Sequence, residues 1–352
     1  MPDETRTTSR PARTEPLHVD LALQGGGSHG AYTWGVLDRL LEEPWLRIEG
    51  ISGTSAGAMN AAVLASGHAA GGAPAARVAL ERFWRRVAAA ARFSPFRRGL
   101  FDAMLGRWTL DHSPFYLAFD AMARVVSPYD MNPGSINPLR AILADTIDFA
   151  VLRDAPIKLF VTATRVANGQ ARVFRNADLT PEALLASACL PTLFQAVEID
   201  GEAYWDGGYA GNPTITPLVR ETGACDTILV QVNPVERPGT PRSARDIINR
   251  VNEIAFNAPL LKELRMIALL RRAADAGTPE GRHWATMRMH RIESDKLVTL
   301  GASSKLNAEW SFLTMLRDEG RSVADAFLAG HGASLGVASS FDLDALLDGV
   351  LQ

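Results

Sequence analysis

Residues 50–61 read GISGTSAGAMNA, and inside them Gly53-Thr54-Ser55-Ala56-Gly57 is a G-x-S-x-G pentapeptide. The chemistry this order suits is nucleophilic attack. A serine oxygen reacts only when a sharp turn exposes it, and flanking glycines leave room for a strained backbone and a close strand–helix crossing. RIEGIS (47–52) reads as a strand and AGAMNAAVLAS as a helix, so Ser55 stands where one becomes the other. The start of that helix favours developing negative charge. The plain alternative is a serine buried in a small-residue turn of a chain with 29 glycines.

A nucleophilic serine needs a base. In an ordinary serine hydrolase a histidine serves, usually arriving late in the chain. His68, His112, His283, His290 and His331 carry no local signature, and each reads as an ordinary loop or packed residue. His283 and His290 are expected to flank a final strand. A second glycine cluster, GGGSHG (25–30), follows the apolar run HVDLALQ. Gly25, Gly27 and Gly30 fit G-x-G-x-x-G, which leaves three uses open: a pyrophosphate cradle, an oxyanion hole built from backbone N–H groups, or a tight turn. Against a nucleotide, only Glu49 stands where a ribose-binding acid is expected, and no G-K-[ST] is present for a Walker A loop.

The elements that would position these residues follow from periodicity. HVDLALQ is a strand starting near His18, and Tyr32, Val36, Leu37, Leu40 and Leu41 recur at helical spacing. HAAGGAPAA reads as a loop before the helix ALERFWRRVAAAARF, and Ser94 to Asn137 as a helical insertion. PIKLFVTATRV (156–166) and ARVFR form strands paired around NGQ, LTPEALLASACL is a helix stopped by Pro191, and VEIDGEAYWDGG holds two short strands joined through Asp200-Gly201. DTILVQVNP (226–234) is another strand. The stretch 248–273, with Ile254, Phe256, Leu260, Leu261, Leu264, Ile267 and Leu270, reads as one or two helices; it either packs on the core or covers an acyl channel or lipid interface. Trp34, Trp84 and Trp108 are open between core, pocket and surface. LNAEWSFLTMLRDEGRSVADAFLAGH is expected to form two helices parted at Glu319-Gly320. Strands alternating with helices imply an α/β fold, a mainly parallel sheet covered on both faces.

The 352 residues, 47% hydrophobic and 21% charged, suffice for a large core. Lysine plus arginine total 36 against 39 acidic residues, and the net charge of −3 gives no general reason to bind nucleic acid. Cys189 and Cys225, without C-x-x-C spacing, suggest neither a disulfide scaffold nor a cysteine metal site, and fit a reducing compartment. Residues 1–16 read as a disordered polar segment with no signal-peptide core. No transmembrane run follows, so the expectation is a cytoplasmic protein.

Together GGGSHG (25–30), GTSAG (53–57) and Asp206-Gly207-Gly208, with ASACLPTLFQAVEIDGEAYWDGG (186–208) between the last two, resemble the patatin-like phospholipase family over approximately Leu21 to Pro213. Alone, the DGG would read as an Asp-Gly turn. The resemblance implies a patatin-like three-layer sandwich and a Ser-Asp dyad without histidine: Ser55 as nucleophile, held in the elbow Gly53, Thr54, Ala56 and Gly57, and Asp206 as base, in a motif completed by Gly207 and Gly208. Gly25, Gly26, Gly27 and Ser28 would form the oxyanion hole, His29 and Gly30 would organise that loop, and Asn212 and Pro213 would shape the loop holding the aspartate. His29 stands where the family usually has arginine or lysine, and a neutral imidazole supplies weaker electrostatics.

The function implied is hydrolysis of lipid carboxylic esters, of a phospholipid or related acyl ester, through an acyl-enzyme, with no metal or organic cofactor. The partner is then the acyl ester, with transient contact to a membrane or lipid interface and none to nucleic acid. Head group, chain length and oligomeric state leave no signature. Two other readings stand beside it: an esterase for another hydrophobic ester such as an intracellular polyester, and a weakly catalytic lipid-binding protein. A single domain, 17–352, is expected, with 17–235 the catalytic core and 236–352 a mostly helical part packed on it.

Overall fold

The computed structural model describes residues 15–94 and 96–348. Most of the expected N-terminal disordered segment, residues 1–14, lies outside these. The strands are β1 (Leu17–Leu23), β2 (Leu46–Gly53), β3 (Lys158–Arg165), β4 (Ala171–Arg175), β5 (Val197–Ile199), β6 (Glu202–Asp206), β7 (Asp226–Val230) and β8 (Arg288–Ile292). They form one sheet in the order β5-β6-β3-β2-β1-β7-β8, with β4 also paired to β3. From β3 through β2, β1 and β7 to β8 every pairing is parallel; β4, β5 and β6 join antiparallel at one end.

Alternation along the strands assigns the two faces. Leu21, Leu23, Val161 and Val230 enter one core with Val36 and Leu37 of α1 (Gly30–Leu40), Leu64 of α2 (Ala56–Ala90), and Phe312 and Leu316 of the helix Trp310–His331. Ala22, Phe160 and Leu229 enter another with Leu218, Leu260 and Leu264. The fold is a three-layer α/β sandwich around a mainly parallel sheet, with both faces of its central strands buried.

Most expected elements form near the predicted places, and the departures have physical causes. The loop expected over HAAGGAPAA shrinks to a kink at Gly71 and Gly72, because the surrounding alanines continue the helix on either side. His290 lies within β8 rather than beside it, wholly buried, with Nε2 2.9 Å from Asp226 Oδ1. The helix Trp310–His331 runs unbroken through Glu319-Gly320. Gly320 marks a close crossing there: a Cβ would stand 2.1 Å from the Tyr32 carbonyl oxygen of α1. The stretch 248–273 is part of one helix, Ala244–Ala273, whose Leu260, Leu264 and Ile267 are buried while Val251 and Ile254 are exposed. Trp34 and Trp84 are core residues; Trp108 stacks on Phe312 at 5.1 Å.

One buried carboxyl group bears on stability. Asp20 in β1 is fully buried, its Oδ2 accepting from Thr222 at 2.5 Å. Burial pushes its pKa up to about 8. The folded chain therefore holds a proton there that the unfolded chain releases near pH 4, and stability falls as pH rises through that interval. Asp20→Asn should remove this slope: in urea melts its advantage over wild type should grow by at least about 1 kcal/mol between pH 5 and pH 8. A pH-independent difference would contradict this.

Candidate active site

β3 is the ruler that brings the two motif residues together. Gly53, the last residue of β2, pairs with Val161 of β3, and Asp206, the last of β6, pairs with Ala163 two residues further on. Ser55 and Asp206 thus emerge at the same edge, the carboxyl ends of the parallel strands, where α/β sheets bind ligands. The glycine cluster joins them because β1 ends at Leu23, opposite Gly53. Both α1 and α2 begin here, so two helix N-termini face one place.

Ser55 is one of three non-glycine residues with positive φ among the described residues, at φ 54° and ψ −122°. Such a conformation costs on the order of 1–3 kcal/mol and persists only where the surroundings enforce it. They do. The Ser55 N–H donates to Ser187 Oγ at 2.9 Å, Thr54 Oγ1 donates to the Gly211 carbonyl at 2.7 Å, and the Gly57 N–H reaches back to Thr54 O at 2.8 Å. Gly57 is obligatory in this packing: a Cβ would lie 2.3 Å from the Leu23 carbonyl oxygen.

Asp206 is 2% exposed and receives the Gly208 N–H at Oδ1, 2.8 Å away. Its main chain is tied on both sides, N–H to Cys189 O at 2.7 Å and C=O to Thr164 Oγ1 at 2.8 Å. Burial raises its pKa to about 7, against the opposing pull of the Gly208 N–H, a hydrogen bond with the Ser55 side chain, and the charge of Lys305. A carboxylate in this range is a far stronger base than an ordinary one, and about half of it is ionised at pH 7. Phe256 covers Gly208 and packs on Tyr209, ring centres 4.9 Å apart.

The glycine loop needs one correction to its expected membership. The Gly25 N–H is already donated to Asn212 Oδ1 at 2.8 Å, so Gly25 positions the loop instead of offering an amide to it. Gly26, Gly27 and Ser28 open the short turn Gly27–His29, the end at which helical N–H groups lack intrahelical partners. His29 is buried, with Nε2 2.8 Å from Ser304 Oγ and its ring edge-on to Phe312. Burial, reinforced by Lys305 and Arg237, lowers its pKa to about 3, so the imidazole is neutral at pH 7. Gly30 lies against Ala56, bringing the starts of α1 and α2 into contact.

Several supporting residues were invisible in the sequence reading. Gln24 Oε1 accepts the N–H groups of Val232 and Asn233 at 2.8 and 2.7 Å, and Asn233 Nδ2 donates to Gly25 O at 2.7 Å. The polar residues closing two apolar strand runs were the available signal for this pair. Ser187 stands in the stretch 186–208 that carries the resemblance but was given no role, and Lys305 had no signal. Among the described residues, no group of three His, Cys, Asp or Glu side chains could hold a metal ion, and no helix is long and apolar enough to cross a membrane.

A family model described as patatin-like phospholipase matches residues 21–219. The chain belongs to the patatin-like phospholipase family. Lipid acyl hydrolysis in general is therefore its activity, and the three motifs lie inside the matched segment. No curated protein matches the sequence. Among solved structures, VipD from Legionella pneumophila is similar at 17% identity and a TM-score of 0.34, over 95% of this chain and 80% of VipD. The type III effector protein ExoU is similar at 18% identity and a TM-score of 0.28; 88% of this chain aligns, spanning 53% of the ExoU chain.

The patatin-like site depends on Asn212, whose side chain bridges the Gly25 N–H to the Phe256 carbonyl at 3.2 Å. Asn212→Ala leaves both groups without that partner and should cost about 1–3 kcal/mol in denaturant melts. A change below about 0.5 kcal/mol would show that the bridge does not hold the loop.

Proposed function

We propose that the chain hydrolyses lipid carboxylic esters by a Ser55–Asp206 dyad. The observation that carries this reading is the buried Asp206 carboxyl, fixed by the Gly208 N–H and placed where the side chain of Ser55, a serine held at positive φ, acts on it. Ser55 Oγ attacks the acyl carbonyl carbon as its proton passes to Asp206. The carbonyl oxygen takes the negative charge, which the amides of Gly26, Gly27 and Ser28 and the N-termini of α1 and α2 stabilise. Collapse of this intermediate breaks the bond to the leaving alcohol, which receives the proton from Asp206, and leaves the acyl group on Ser55. Water then attacks, giving its proton to Asp206. The Ser55–acyl bond breaks, the fatty acid departs, and the proton returns to Ser55.

The C-terminal part, 236–352, works as one unit with the core, because it contributes β8 and packs Phe256 and Ser304 against the site. A lipid surface is the proposed place of action. Support comes from exposed apolar side chains on both flanks: Phe115, Met122, Val125 and Ile136 on one, Ile247, Val251 and Ile254 on the other. The first flank reaches the DGG side through Gln195 Nε2, which donates to Asn132 O at 2.8 Å. The second belongs to the helix carrying Phe256. Two free cysteines, Cys189 and Cys225, fit a reducing, cytoplasmic setting.

The test is hydrolysis of an acyl-chain-length series of chromogenic esters, monomeric and in phospholipid vesicles, by wild type, Ser55→Ala and Asp206→Asn. Both variants should lose at least about 10³-fold in kcat/KM while keeping the wild-type folded spectrum. Wild-type kcat/KM should rise with pH through about 7 as Asp206 ionises. Faster turnover in vesicles than on monomers is expected, and equal rates would remove the lipid-surface part. Full activity in Ser55→Ala would overturn the dyad.

A further inference from the structure

The glycine loop is gripped by a segment far outside residues 21–219. Its turn Gly27–His29 lies against the short helix Ala302–Leu306, with Ser304 bonded to His29 and the Lys305 carbonyl so near Gly27 that a Cβ there would stand 2.5 Å from it. Gly27 has φ +58°, a conformation in which only glycine rests without strain. From this segment Lys305 donates from Nζ to Asn233 Oδ1 at 2.6 Å, and Asn233 passes the connection to Gly25 O. A lysine ammonium is thereby two hydrogen bonds from the loop. Its charge also acts on Asp206, where it favours the carboxylate.

We propose that Lys305 is a positioning residue of the acyl-transfer site: through Asn233 it fixes the glycine loop, and its ammonium stabilises negative charge on Asp206 and on the nearby oxyanion. This rests on the Ser55–Asp206 reading. It also gives a physical answer to the histidine at position 29. The motif residue is buried and neutral, while a cation reaches the same loop from the C-terminal part of the chain.

The groups facing Lys305 support this assignment. Asp206, Arg237 and Glu253 act on Lys305, Lys305 acts on His29, and Tyr209 and Cys189 interact with Asp206. Glu253 is already matched, receiving Arg237 Nε at 2.8 and 2.9 Å and Arg250 at 3.3 Å. Burial lowers the Lys305 pKa to about 8, so its charge is present at neutral pH and lost not far above it. The productive form, Asp206 ionised and Lys305 protonated, thus occupies a window bounded by the titration of this interacting pair.

The experiment is the pH dependence of kcat/KM and kcat from pH 5.5 to 10, on a monomeric short-chain chromogenic ester, for full-length wild type, Lys305→Met, Lys305→Arg and Ser55→Ala. Wild type should give a bell. Lys305→Met should lower kcat about 10- to 100-fold with KM within about twofold, displace the acid limb to higher pH, and abolish the alkaline limb. Lys305→Arg should recover most of kcat and carry the alkaline limb beyond about pH 9, since a guanidinium keeps its charge. Should Lys305→Met fail to fold, the limb shift in Lys305→Arg decides alone. Limbs unmoved in the folded variants, with Ser55→Ala inactive, would overturn the lysine role only; an active Ser55→Ala would overturn the dyad beneath it.

Discussion

A carboxylate buried beside a serine is the interaction on which the rest of the site depends. Taking Asp206 out of water raises the free energy of its charged form, which makes it a better proton acceptor but endangers its ionisation at neutral pH. The surroundings strike a balance. The Gly208 N–H, the Ser55 hydroxyl and the charge of Lys305 each pull toward the carboxylate, and burial outweighs them enough to leave the group near neutrality. Too little burial would give an ordinary, weakly basic aspartate. Too much, without those partners, would leave a protonated acid that accepts nothing.

The sheet makes this balance possible by geometry alone. Because β2 and β6 both pair along β3, the serine turn and the aspartate turn cannot drift apart without breaking a ladder of backbone hydrogen bonds. Because β1 pairs with β2, the glycine loop is delivered to the same edge. The side-chain amides of Asn212 and Asn233 then hold that loop from two directions, one through the Gly25 N–H and the other through its carbonyl. Rigid placement matters because preorganised dipoles stabilise a developing charge without reorganising during the reaction.

How much of this was legible follows from how local each signal is. Ser55, Asp206 and the glycine loop stand in short motifs whose backbone demands are written in neighbouring residues, and the β5–β6 hairpin was marked by Asp200-Gly201, both of positive φ. The family resemblance joined the motifs into a site. Lys305 was illegible because its contacts span long stretches of sequence: a lysine in ASSKLNAE differs in no local way from a solvated one. Gly320 misled for the opposite reason. A glycine that ends a helix and one that lets two helices touch look alike until the partner helix is in place.

The most direct measurement of the central claim is covalent capture of the nucleophile. The full chain is treated with a fluorophosphonate carrying an alkyl tail, and the adduct is located by intact-mass and peptide mass spectrometry. A single adduct on the peptide containing Ser55, absent from Ser55→Ala and formed much more slowly by Asp206→Asn, is the result predicted for a serine activated by a buried carboxylate. Labelling of another residue, or an equal rate in Asp206→Asn, would contradict it.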